Sequence, residues 1–198
     1  MSKIKTYLLI LLCVVIAYGG SLKYGFSQDD WYFLLISDAH NLSEVANFFN
    51  PLAQSGFAFF RPLGTQLYYF LFQRNPFFMH IFMLVIQSLS GYFVYLLLRG
   101  LKLKSPTPIL AGLLYSVSSV HFLSLYYIAA TQQILAAAFS LLSLILFLKQ
   151  KYLPSAIILT LALRSKETAI VTPLIALGLT LIARSKPTIR QFIPYSVV

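Results

Sequence analysis

Three short stretches of this chain carry side chains able to do chemistry. Near the N-terminus, Phe26-Ser27-Gln28-Asp29-Asp30-Trp31 sets two carboxylates side by side at the head of an apolar, aromatic run. Ser27 to Asp30 has the spacing of a capping box, and a helix N-terminus favours negative charge, so part of this signal belongs to helix initiation. Capping does not exhaust the pair, because adjacent side chains leave a helix in different directions. In Arg164-Ser165-Lys166-Glu167-Thr168, Ser165 can cap the following segment and Glu167 suits its dipole. Lys166 does not: a cation in a first turn is unfavourable unless an anion shares the place, and a helix N-terminus already suits phosphate. Arg164 and Lys166 therefore mark either an anion site or an ion pair with Glu167 or one of the loop acids. The third stretch is Phe59-Phe60-Arg61-Pro62-Leu63-Gly64, whose arginine either snorkels to water or binds a lipid phosphate.

Other polar residues stand in apolar surroundings. His80 and Gln87 fall on roughly one helical face, and they, His121 and the Thr131-Gln132-Gln133 cluster read first as interhelical hydrogen-bond partners and second as ligand contacts. Asn41-Leu42-Ser43 matches an N-glycosylation acceptor. The sequence contains no metal motif, glycine-rich nucleotide loop or nucleophile elbow.

The elements that position these residues follow from composition. Of 198 residues, 59% are hydrophobic and 10% charged, and the mean hydropathy is +0.79. Those values describe an integral membrane protein rather than a soluble domain. A net charge of +10 would suggest nucleic acid in a soluble protein; here it reports topology, and no nucleic-acid partner is expected. The single cysteine, Cys13, supports no intrachain disulfide framework.

A spanning helix needs about 17 to 25 apolar residues. The apolar runs predict an all-α, polytopic transmembrane bundle of about six spans, at 6–22, 77–98, 106–120, 128–148, 152–163 and 168–183. A long loop over 23–76 carries amphipathic segments at 42–49 and 57–72 that suit an interface. With the N-terminus inside, ten Lys and Arg fall on the cytoplasmic side and five outside, as the positive-inside rule requires. All five acids, which did not set the orientation, fall outside with His40, His80 and His121. The run 152–163 is short for a crossing. Either its helix extends through interfacial residues, or the 164–167 turn lies below the surface at the floor of a cavity open to the outside.

The order of these motifs resembles the N-terminal part of C-type glycosyltransferases, polytopic enzymes that use polyprenyl-phosphate sugars. The likeness is to the protein O-mannosyltransferase-like branch that includes the tetratricopeptide-bearing transmembrane mannosyltransferases. It rests on the basic first span, Asp29-Asp30, Arg61-Pro62-Leu63, His80 at the second span, and Arg164-Ser165-Lys166-Glu167-Thr168-Ala169 before Pro173, and it covers nearly the whole chain. The resemblance implies sugar transfer to an acceptor hydroxyl of a protein, lipid or glycan. One of Asp29 and Asp30 would be the base, and Arg61, Arg164 and Lys166, with Glu167 and His80, would form the lipid-phosphate site. A divalent cation on Asp29 and Asp30 is the other use of that pair. It also implies the extracytoplasmic face of a prokaryotic plasma membrane, in contact with membrane lipids. Residues 1–198 would be the N-terminal module of a longer enzyme, inactive alone, with 192–198 opening a further segment. A transporter or flippase component and a non-catalytic membrane scaffold are the alternatives.

Overall fold

The computed structural model describes residues 2–52, 59–72, 75–182 and 189–197, and all the secondary structure among them is helical. Helix α1 (Lys3–Tyr18) starts at Ser2, whose hydroxyl accepts the Lys5 N–H, and continues as a 3-10 turn over Gly19–Lys23. One stripe of α1, Thr6, Ile10, Val14 and Tyr18, is buried, while Ile4, Leu8 and Ile16 on other faces are more than half exposed. A helix that is apolar all round suits hydrocarbon, where its bare face needs no cover.

The loop contributes α2 (Asp29–Ile36), α3 (Leu42–Asn47), and a π-turn over Leu63–Leu67 that runs into α4 (Tyr68–Leu71). Helix α5 (Pro76–Gly100) has proline at its first position, and the Asn75 side chain accepts the Phe77 and Phe78 N–H groups. Helix α6 (Thr107–Val117) stops where Ser118 becomes extended, and the apolar segment resumes through a 3-10 turn into α7 (Phe122–Tyr126). A 3-10 turn over Ile128–Ala130 leads into α8 (Thr131–Leu148), followed by α9 (Tyr152–Ser165). A 3-10 turn over Glu167–Val171 then precedes α10 (Thr172–Ile182), and α11 (Ile189–Phe192) is the last α-helix.

Among the described residues, four segments are long and apolar enough to cross a membrane: Lys3–Lys23, Pro76–Gly100, Thr107–Tyr126 and Ile128–Leu148. The third outruns the expected 106–120 because α7 prolongs it beyond the break at Ser118. Two shorter apolar helices, Tyr152–Ser165 and Glu167–Ile182, take the places of the expected fifth and sixth spans. At 14 residues, α9 is about 21 Å long, against roughly 30 Å of hydrocarbon. Arg74, Arg184, Lys186, residue 183 and residues 57–58, which entered the expected topology, lie outside the described residues, as does the side chain of Arg190.

Small residues set the helix contacts. An ideal Cβ on Gly112 would lie 2.8 Å from the Gly91 carbonyl oxygen, so α5 and α6 meet backbone to backbone. Gln87 on the same face of α5 donates to the Ser116 carbonyl at 3.2 Å, the interhelical role expected of it. Between α8 and α9, buried Ser143 and Ser155 each donate to the other's carbonyl, at 2.8 and 2.6 Å. Thr172 ties α10 to Ser140 of α8 at 2.9 Å. These contacts, with Tyr18 donating to the Ser118 carbonyl and His80 meeting the Leu125 carbonyl, bring the C-terminal end of α1, the N-terminal ends of α5 and α8, and the loop to one end of the bundle.

Candidate functional site

Helix α2 begins abruptly. Gln28 turns the chain with a φ of 44°, a conformation costly for a residue with a Cβ, and the helix starts at Asp29. The Asp30 carboxylate reaches back to accept the Ser27 N–H at 2.7 Å, which is one half of the expected capping box, although the residue at the cap position is Gln28. Helical geometry then separates the two acids. Asp30, Phe33, Leu34 and Ser37 form the buried stripe, whereas Asp29 and Tyr32 are exposed.

Asp30 has no solvent exposure, and its second oxygen accepts the hydroxyl of Tyr69, also buried. The rings of Phe33 and Tyr68 pack against Tyr69 at centroid distances of 5.7 and 5.5 Å. Burial in this aromatic nest pushes the Asp30 carboxyl above the ordinary aspartate range, opposed by its bonds from Tyr69 and Ser27. Burial, then the Asp30 carboxylate, pushes the Tyr69 phenol far upward, so it remains a donor. Asp30 is thereby a fully engaged anchor for the start of α2.

Asp29 occupies a different setting. Its backbone N–H donates to the Tyr127 hydroxyl at 3.0 Å, which fixes the first turn of α2 against the entry to α8. Asp29 lines a cleft of about 210 Å³ together with Tyr32, Phe33, Phe59, Arg61 and Gln132, and its carboxylate is hydrogen-bonded to the Tyr127 hydroxyl. No ion pair joins Asp29 to Arg61 across this space.

Arg61 is held on three sides. Its Nε donates to Glu167 Oε2 at 2.6 Å and a terminal nitrogen bonds the other carboxylate oxygen, a forked pair. The other terminal nitrogen donates to Gln132 Oε1 at 2.6 Å, and Gln132 is itself fixed by donating to the Ala129 carbonyl at 2.9 Å. The guanidinium also lies over the Phe59 ring, 4.4 Å from its centroid. The Arg61 side chain is 15% exposed and that of Glu167 63%. The Arg61 hydrogen bonds hold Glu167 below the usual glutamate range. Lys166 is half-buried, and burial followed by repulsion from Arg61 lowers its ammonium from the ordinary value. Arg164 sits over Phe60 at 4.7 Å.

Gly64 makes this assembly possible. A Cβ there would lie 2.5 Å from Gln132 Cβ, 2.8 Å from Gln132 Cα and 2.9 Å from the Ser165 carbonyl oxygen. Only a residue without a side chain lets the segment after Arg61 lie this close to α8 and the end of α9.

The expected site residues divide accordingly. Asp29 and Arg61 share the cleft, with Glu167 and Lys166 adjoining Arg61, while Arg164 stacks beside them on Phe60. Asp30 and His80 are fully buried; the His80 ring is 3.1 Å from the Leu125 carbonyl, which makes it a tie between α5 and α7 rather than part of the cleft wall. Arg61 neither snorkels nor stands free, because Glu167 claims it. Ser165 does not cap the following segment; it ends α9 and donates to the Leu161 carbonyl, and Lys166 forms an extended junction instead of lying in a first turn. The loop lies against part of the 164–167 turn, with Gly64 beside the Ser165 carbonyl and Arg61 on Glu167, while the Glu167 side chain stays exposed. Residues that the sequence did not assign to the site are Tyr32, Phe33, Phe59, Gly64, Tyr69, Tyr127 and Gln132. Two of them left a signal: Gln132 as a polar residue in an apolar run, and Gly64 as a glycine three residues after an arginine in an aromatic stretch.

The aspartate pair does not fit a divalent cation. Both Asp30 oxygens already accept hydrogen bonds, its neighbour faces away on the helix, and among the described residues no three His, Cys, Asp or Glu side chains converge. In comparisons with protein-family models, curated proteins and solved structures, no match to this chain was found.

Proposed function

We propose that the chain is the N-terminal module of a membrane glycosyltransferase that moves a sugar from a polyprenyl phosphate to an acceptor hydroxyl on the extracytoplasmic side. The observation that carries this reading is a cleft lined by both an exposed acid, Asp29, and a fixed guanidinium, Arg61, with no ion pair between them. General-base transfer from a phosphate-linked donor needs that separation: an anion to take a proton and, apart from it, a cation to receive departing charge.

In this mechanism the acceptor hydroxyl gives its proton to Asp29 as its oxygen bonds to the anomeric carbon. The bond from that carbon to the phosphate oxygen breaks, and the lipid phosphate leaves with the electron pair beside Arg61 and Lys166. Asp30 positions the reaction indirectly by fixing the first turn of α2 through Tyr69 and Ser27. A cleft of about 210 Å³ is smaller than a typical pocket for a whole ligand, so it receives the reacting groups while the lipid lies outside it.

The test is a split between turnover and donor affinity in the full-length protein, assayed with radiolabelled polyprenyl-phosphate mannose. Asp29→Asn is expected to lower kcat by about 10²- to 10⁴-fold with donor KM little changed, and Arg61→Gln to raise donor KM. Turnover in Asp29→Asn equal to the wild type would overturn the base assignment. Translocation of the lipid without sugar transfer would instead favour a flippase.

A further inference from the structure

Arg61, the best-positioned cation in the cleft, is already engaged by an acid of its own chain. The forked contact to Glu167 uses two N–H groups in the geometry that guanidinium groups adopt toward either carboxylate or phosphate. What holds Arg61 in place lies elsewhere, in the Gln132 bond and the Phe59 ring, and both remain if Glu167 departs. Glu167 itself is 63% exposed on its side chain and opens a 3-10 turn, free to swing into water. Lys166 adds a second positive charge close by, and its ammonium forms no ion pair with any described carboxylate. Two cations therefore share one exposed, replaceable anion.

We propose that Glu167 occupies an oxyanion site, and that a phosphate of lipid-linked type binds by displacing it from Arg61 while Lys166 completes the charge. Glu167 acts as an internal ligand. It occupies the two Arg61 nitrogens when no donor is present, while Gln132 and Phe59 fix the guanidinium. The exchange costs little, because one charge-assisted forked contact replaces another and the released carboxylate is hydrated. It also gives the site a preference: a monodentate or neutral headgroup cannot replace both hydrogen bonds, whereas a phosphate can. The inference rests on the lipid-phosphate reading given above, and it adds the competitor and the residue pair that select the ligand.

The experiment measures binding rather than transfer, using the full chain in detergent with farnesyl phosphate, inorganic phosphate and farnesol as probes. Glu167→Gln and Glu167→Ala are both expected to bind farnesyl phosphate about two- to fivefold more tightly than the wild type, the span set by an ion pair with an exposed partner. Arg61→Gln is expected to bind it more weakly than any of them. Unchanged or weaker binding in both Glu167 variants, with the Arg61 dependence intact, overturns the displacement and leaves the phosphate site standing. An equal gain for inorganic phosphate, without preference for the prenyl probe, overturns the lipid-linked source. Failure of all forms to distinguish farnesyl phosphate from farnesol overturns the displacement and the lipid-phosphate reading together.

Discussion

Replacing Gly64 with alanine tests whether the loop is held to the bundle as described. The new Cβ would stand 2.5 Å from Gln132 Cβ, 2.8 Å from Gln132 Cα and 2.9 Å from the Ser165 carbonyl oxygen. Two of these three are backbone atoms, one in the first turn of α8 and one at the end of α9, so no side-chain rotation relieves the clash. The segment must lift away from both helices. Overpacking of this kind costs about 1–3 kcal/mol, which in a chain of this size lowers Tm by roughly 2–12 °C. A specific consequence accompanies the general one. Arg61 lies three residues before Gly64, and lifting the segment draws the guanidinium from Gln132 and Glu167. Thermal unfolding in detergent reads the first effect. A double-mutant cycle between Arg61→Gln and Glu167→Gln reads the second, and the coupling should fall toward zero in the Gly64→Ala background. An unchanged Tm with full Arg61–Glu167 coupling would refute the close approach.

Further outcomes follow from the same geometry and, for the last, from the distribution of charge along the sequence. Tyr69→Phe leaves the buried Asp30 carboxylate one donor short and should cost about 1.5–3 kcal/mol in thermal or denaturant unfolding. Asp30 and Glu167 should give opposite pH dependences. The raised Asp30 pKa contributes stability below the unfolded value near 4, lost as pH rises through the higher folded value, so the Tm of wild type relative to Asp30→Asn should fall over that window. The depressed Glu167 pKa contributes stability above about 4.5 that is lost as pH falls through its lower folded value, so the Tm deficit of Glu167→Gln should be present at pH 7 and vanish in acid. Gln150, at a φ of 59° after α8, sits where the Lys151 N–H bonds the Leu146 carbonyl to close the helix end; Gln150→Gly should stabilise by about 1 kcal/mol. In a Cys13→Ala background, a membrane-impermeant maleimide applied to intact cells should label Asp38→Cys and spare Lys102→Cys if the N-terminus lies inside, as the distribution of basic residues predicts.

The helices were legible because apolar length is written locally. The expected 77–98 and 152–163 differ from α5 and α9 by at most two residues at either end. The expected boundary after residue 120 fell close to the break at Ser118, where Ser116, Ser118, Ser119 and His121 cluster; what was not legible was that α7 prolongs the third segment beyond it. At the site, the residue types were visible and their division of labour was not. Which of Asp29 and Asp30 faces the core depends on the residue at which α2 begins, and that is set by the Gln28 turn and by Tyr69, distant in sequence. Likewise Arg61 and Glu167 could not be paired from the sequence, because 106 residues separate them and Lys166 was an equally good partner by charge. The contact depends on Gly64, whose importance comes from what lies against it.

The proposed transfer depends most heavily on Asp29, with Asp30 as its buried support. Single-turnover transfer of labelled mannose from polyprenyl-phosphate mannose, compared among wild type, Asp29→Asn and Asp30→Asn at equal amounts of folded full-length protein, tests this most directly. The expected result is transfer by the wild type, loss of at least about 100-fold in Asp29→Asn, and retention of measurable transfer in Asp30→Asn. No transfer by the wild type, or full transfer by Asp29→Asn, would contradict it.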